Sequence, residues 1–156
     1  MPDIIDFLKV FLMSMVPVLE LRAAIPWGAG LGMPWYVNYL IAIVGNSLPV
    51  PFILLFIRAI LDWMKRVKGL SKIALWLEAK AEKNSAKVNK YAAWGLFLFV
   101  AIPLPGTGAW TGSLVAAVFR MRLKHSLVSV ICGVLTAGLI VTGISYGVLG
   151  FLSFML

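Results

Sequence analysis

Of 156 residues, 62% are apolar and 13% charged, with a formal net charge of +8 and a mean hydropathy of +0.97. Soluble domains average about 45–50% apolar and about 25% charged residues. So apolar a chain lacks the polar surface to cover a soluble core, which excludes a soluble enzyme, a disulfide-stapled secreted domain and a disordered chain.

The charges are also segregated. Ala23 to Ile57, Tyr91 to Phe119 and Ser126 to Leu156 are 35, 29 and 31 residues without Asp, Glu, Lys or Arg. Runs of about 18 or more apolar residues are membrane-span candidates, so the chain reads as an integral membrane protein.

Taken in order, the N-terminus is not a signal peptide, since Asp3 and Asp6 stand where a cationic segment belongs. The apolar stretch from Ile4 to about Met33 is interrupted by Pro17, Pro26, Gly28, Gly30 and Gly32. Its arms, Ile4 to Leu19 and Ala23 to Val37, are each long enough for half a crossing, and the tip falls between Pro17 and Pro26. Asn38 to Ile57 then reads as one span of 20 residues, kinked by Gly45-Asn46-Ser47 and Pro49-Val-Pro51.

Nine of the fourteen basic residues follow between Arg58 and Lys90, against Asp62, Glu78 and Glu82. A basic loop between apolar blocks marks the cytoplasmic face of a membrane rather than a nucleic-acid site. Trp63, Ile73, Trp76 and Leu77 within it predict an interfacial helical segment on the inner leaflet.

Lys90 and Arg120, at the two ends of the next block, both belong to basic clusters, so both ends fall on the cytoplasmic side. Its 29 residues measure about 43 Å as helix, against about 60 Å for two crossings of a 30 Å core. The block therefore turns back inside the bilayer, at Ile102-Pro103-Leu104-Pro105-Gly106-Thr107-Gly108, where prolines remove donors and glycines admit left-handed dihedrals. The last span is Ser126 to Gly150. Its glycines 133, 138, 143 and 147 form a small-residue stripe suited to helix packing. Cys132 is alone and expected as a packed thiol, and His125, in a charged run, as a headgroup-facing side chain.

Each half thus reads as a broken hairpin followed by a spanning helix. The first hairpin enters from outside and the second from inside. The predicted fold is all-α: an inverted repeat of two units, each a re-entrant helical hairpin plus a spanning helix. Residues 1–57 form the first repeat, 58–90 the basic cytoplasmic connector and 91–156 the second repeat. The competing reading is four to six short, tilted spans with proline kinks.

Glu20 and Arg22 are the only charges between Lys9 and Arg58. A charge at membrane depth costs about 2.5–3.5 kcal/mol on insertion scales and is usually paired or functional. On a continuous helix, positions two apart cannot meet, but in a broken segment they can converge. Thr107, Thr111 and Ser113 offer hydroxyls, and half-helices starting after Gly106 and Gly108 would aim positive ends at the same centre. The competing reading leaves both charges wet at an interface. No Ser/His/Asp set, metal-ligand spacing or nucleotide-binding phosphate loop is present, so no enzyme activity, metal or cofactor is expected.

Glu20-Leu-Arg22-Ala-Ala-Ile-Pro26-Trp-Gly28, Gly45-Asn46-Ser-Leu-Pro49-Val-Pro51-Phe and Ile102-Pro-Leu-Pro-Gly-Thr-Gly-Ala-Trp-Thr-Gly112 resemble the small multi-drug export family of bacteria and archaea. More distantly, Pro103 to Met121 and Tyr146-Gly147 are similar to DedA (VTT-domain) membrane proteins, which have paired re-entrant hairpins and are linked to polyprenyl-phosphate and phospholipid translocation. The chain departs from that pattern where Thr107 and Gly108 replace an arginine and where Glu20 stands as a lone acid.

The reading is a small transporter in the cytoplasmic (inner) membrane of a prokaryote. It moves an amphiphile with an anionic headgroup, such as a lipid phosphate, through a midplane site built from Glu20, Arg22, Pro26, Pro103, Pro105, Gly106, Thr107, Gly108 and Thr111. Membrane lipids, the amphiphilic substrate and a second copy of the chain in a homodimer are the expected partners. Two alternatives remain: a proton-coupled exporter of lipophilic cations, with Glu20 binding the cation, and a non-transporting membrane scaffold.

Overall fold

The computed structural model describes residues 2–67 and 91–155, and 69, 71–73, 75, 76 and 79 between them. Seven helices are ordered along the chain among these residues, and no strand. The interfacial connector expected from Asp62 to Lys90 lies largely outside the described residues.

Helix α1, Ile4–Met15, starts at Asp3, whose backbone N–H donates to the Asp6 carboxylate at 3.3 Å. It stops at Val16, because Pro17 has no N–H with which to continue the ladder. Helix α2, Glu20–Gly30, follows after a gap of four residues, so the first break is tighter than the predicted tip. Pro26 does not end it. An isolated proline removes only the bond to the carbonyl of Arg22, and the flanking turns carry the helix through to Gly30. α2 closes with Gly32 in the left-handed region (φ 73°) and Met33 N–H donating to Gly28 O, a Schellman cap.

Helices α3, Trp35–Ser47, and α4, Pro49–Arg66, join through Leu48, which keeps right-handed helical dihedrals. Together they form one apolar run of 32 residues, Trp35–Arg66. Its prolines fall at the start of α4, where their missing donors cost least. The run passes the expected end at Ile57 because its basic end is tied down. Arg58 donates to Met121 O, and Asp62 pairs with Arg120 and with Lys65.

The second half repeats the plan. Helix α5, Ala92–Ala101, breaks over residues 102–108, and helix α6, Ala109–Val118, follows. α6 closes with Arg120 left-handed (φ 51°) and Met121 N–H donating to Ala116 O. Helix α7, Leu123–Met155, contains the second long apolar run, Leu123–Val148 of 26 residues. Helix, break, helix, left-handed cap and long helix thus occur twice.

Packing crosses between the halves. α1 lies along α2 and α3, and α5 along α7, while α2 packs on α7 and α6 on α4. The core joins Leu21, Ile25, Val50, Leu54, Val100, Val130 and Val134. Outside it, Leu8, Leu40, Phe52, Trp94, Leu98 and Leu139 are exposed, the surface that a bilayer covers in a membrane protein. The α7 stripe splits in two. Gly133 lies against Val100 and Gly138 against Tyr39 and Ile43, so each makes room for a neighbouring helix, whereas Gly143 and Gly147 face open space. Cys132, expected as a packed thiol, is exposed beside Trp94 and Phe97. An apolar stretch does not mark which of its faces looks outward. His125 is exposed, as expected.

Candidate functional site

The two breaks meet. Glu20 opens α2 with φ 49°, a left-handed conformation rare outside glycine that costs about 1–2 kcal/mol. It turns the side chain inward, where it is 3% exposed. One carboxylate oxygen accepts from Arg22 Nη1 at 2.8 Å and the other from the backbone N–H of Trp110, in the first turn of α6, at 3.2 Å. A carboxylate at a helix N-terminus satisfies orphan donors and complements the helix dipole. Because Glu20 lies at the end of α2 and off its regular geometry, residues two apart do converge.

Arg22 spans the breaks. Its Nη2 donates to the Thr107 carbonyl, to Thr107 Oγ1 at 3.2 Å and to Ile102 O at 3.4 Å. Thr107 is held in turn by donating its hydroxyl to Ile102 O at 2.7 Å. Gly108 packs directly on the Glu20 carboxyl, and a Cβ there would collide with both oxygens and Cδ. That glycine is needed for close approach. Its neighbour Gly106 is needed for its left-handed backbone (φ 81°). Thr111 Oγ1 accepts from Gly108 N–H at 2.8 Å, and Trp110 Nε1 donates to Met15 O at 3.0 Å. The start of α6 is thereby fastened to the ends of both α1 and α2.

Beside this polar centre lies a cavity of about 670 Å³. Glu20, Arg22, Pro105, Gly106, Gly108 and Thr111, all singled out in the sequence, line it. Thr107 contributes through Arg22 rather than as a wall. Pro103 and Pro26 do not line it: Pro103 shapes the break, and Pro26 is exposed on the outer side of α2. Ser113 is buried in α6 without reaching the cavity. Sequence reasoning missed the opposite wall, Ile53, Phe56 and Ile57 of α4, and Trp110 and Leu114 of α6. Positions 53, 56 and 57 share one face of α4, but in an all-apolar segment that spacing carries no contrast.

Two long apolar helices, two broken helix pairs and an ion pair held where the breaks meet define an all-helical membrane protein with an internal polar centre. Residues 20–140, which include every element of that centre apart from Met15, match the model of the Putative small multi-drug export protein family, and the chain belongs to that family. The DedA resemblance is not carried by this match. No curated protein and no solved structure matches the chain.

Proposed function

We propose that the chain exports amphiphiles by holding an anionic headgroup at the Glu20–Arg22 centre while the apolar tail lies in the adjoining cavity. The observation that carries this is the way the two charges are held. Arg22 is anchored by three neutral acceptors on Ile102 and Thr107 besides Glu20, so it stays in place when the carboxylate leaves. Arg22 Nη1 and Trp110 N–H then face an incoming anion with no donor to move. A lipophilic cation would instead have to displace an arginine that the neutral acceptors keep. Walls from Ile53, Phe56, Ile57 and Leu114 suit an acyl or prenyl tail.

In a bilayer, each broken pair is a re-entrant hairpin in this reading. Arms of 10–12 residues measure about 15–18 Å, half of a 30 Å core. The recurrent helix–break–helix plan and the crossed packing of α2 on α7 and α6 on α4 support two units inverted about the polar centre. The link of Arg58 to Met121 O and of Arg120 to Asp62 gathers the basic clusters at one end, which the positive-inside rule assigns to the cytoplasm of a prokaryotic inner membrane.

The family's name and the single acid at the cavity support a second reading, export of a lipophilic cation bound by Glu20. Liposome transport of polyprenyl phosphate and of a lipophilic cation, side by side, tests both. For an anionic headgroup, Arg22→Ala abolishes transport and Glu20→Gln changes its pH dependence. The reverse ranking establishes the cation exporter. Indifference to both variants, at matched expression, removes the site and leaves a scaffold.

A further inference from the structure

The two halves keep one register. Equivalent helices start 88 residues apart, at Ile4 and Ala92 and at Trp35 and Leu123, and the left-handed caps at Gly32 and Arg120 keep the same offset. The cap hydrogen bonds match as well: Met33 N–H donates to Gly28 O at 3.1 Å and Met121 N–H to Ala116 O at 3.0 Å. The same offset pairs Glu20 with Gly108, in contact at the centre, and Pro17 with Pro105, both on the cavity wall.

It also relates two contacts that lie away from the centre. Tyr146 of α7 donates its hydroxyl to Met33 O at 2.7 Å, and Arg58 of α4 donates to Met121 O. Each long helix thus clasps the cap carbonyl of the other half, the reciprocity of a two-fold arrangement. Met33 and Arg58, like Met121 and Tyr146, are 25 residues apart, about 37 Å along a helix. The clasps therefore sit at opposite ends of the bundle, further apart than a hydrocarbon core of about 30 Å is thick. One half-helix runs from the centre to each. α2 begins at Glu20, and its cap is held by Tyr146; α6 begins after Gly108, and its cap is held by Arg58. At about 15–17 Å, each covers one half of the path.

We propose that α2 and α6 are the two gates of the transport pathway and that the clasps are their latches, released in turn. Tyr146 on Met33 O holds α2 closed towards the outer face, and Arg58 on Met121 O holds α6 closed towards the cytoplasm. This rests on the transport reading above and on its placing of the basic end. The latches differ in chemistry. The outer one is neutral and is backed by Asn38, whose Nδ2 donates to Ile25 O at 2.7 Å and to Tyr146 Oη at 3.0 Å. The inner one is charged and stands beside the Arg120–Asp62 pair. Each can be cut without touching the other, Glu20 or Arg22.

Thr111→Cys, in a Cys132→Ala background, puts one thiol on the cavity wall beside the centre. Its labelling by an impermeant thiosulfonate is followed in right-side-out and in inverted membrane vesicles, without substrate. Tyr146→Phe removes only the hydroxyl and should raise the rate from the outer face about fivefold or more, the population shift that loss of one neutral hydrogen bond of about 1 kcal/mol produces. It should not raise the inner rate. Arg58→Met should raise the inner rate about tenfold or more, because its donor is charged, and should not raise the outer rate. Should either variant fail to fold, Tyr146→His and Arg58→Lys, which keep a donor but shorten its reach, should open the same sides. One variant raising both rates, as a merely structural clasp does, overturns the proposal. So do rates that do not rise and sides that are exchanged. Because no substrate is present, one-sided opening in a protein that does not move lipid phosphates upholds the gates while refuting the headgroup reading. Transport with labelling indifferent to both clasps does the opposite.

Discussion

Replacing Gly108 with alanine puts one methyl group where the Glu20 carboxyl lies. Gly108 has extended backbone (φ −114°), so alanine meets no dihedral penalty and the whole effect is steric. The carboxyl must swing away and give up its bonds to Arg22 Nη1 and Trp110 N–H. Hydrogen bonds to charged groups are worth about 1.5–3 kcal/mol each, and opening a buried ion pair typically costs about 3–5 kcal/mol. Gly108→Ala should therefore destabilise the protein by about 3 kcal/mol. Unfolding in detergent by denaturant titration, followed by tryptophan fluorescence, measures it. Gly106→Ala is the control: nothing crowds that Cβ, and the cost is the left-handed backbone (φ 81°), about 1–2 kcal/mol. The decisive quantity is a double-mutant cycle. In a Glu20→Ala background the methyl group has nothing to strike, so Gly108→Ala should add less than about 1 kcal/mol, a coupling of about 2 kcal/mol or more. Additive energies, or a Gly108→Ala cost no larger than that of Gly106→Ala, would refute the interlocked centre.

Pro105→Ala combined with Gly106→Ala favours continuous helix across the second break, since proline costs about 3 and glycine about 1 kcal/mol in a helix interior relative to alanine. The protein should insert normally and lose liposome transport; unchanged transport excludes the broken backbone from the pathway. On α7, Gly138→Ala should cost about 1–3 kcal/mol by overpacking against Tyr39 and Ile43. Gly143→Ala, in open space, should gain about 0.5–1 kcal/mol of helix propensity in the same unfolding measurement. Single cysteines at Lys65 and Lys124 should react with an impermeant reagent from one side of the membrane and a cysteine at Pro34 from the other, as paired basic ends require.

How far the sequence revealed this arrangement varied with the kind of signal. Glu20 and Arg22 stood out because charge is rare there, and Pro105, Gly106 and Gly108 because they forbid a continuous helix; all five meet at the centre. Signals of composition without contrast failed. Ile53 and Ile57 are no more apolar than the exposed Phe52 and Leu55, so hydropathy could not choose the cavity wall. Cys132 and Gly143 were misjudged for the same reason, since lipid-facing and core-facing surfaces are equally apolar in a membrane protein. Pro26 misled in another way. Proline reads as a break, but neighbouring turns absorbed a single missing bond. Trp110 escaped notice because its role depends on Met15, 95 residues away.

That separation matters for how the chain is made. Glu20 emerges about 90 residues before the Trp110 N–H that completes its bonds. At roughly 5–20 residues per second of synthesis, the gap lasts on the order of 5–20 s. A lone carboxylate would spend that interval uncompensated in the translocon or the lipid. Arg22 arrives two residues later, so a neutral pair is available to the nascent first half from the outset. The locally encoded ion pair thus acts as a built-in escort during biogenesis, keeping the first half insertable until the second half arrives to enclose it.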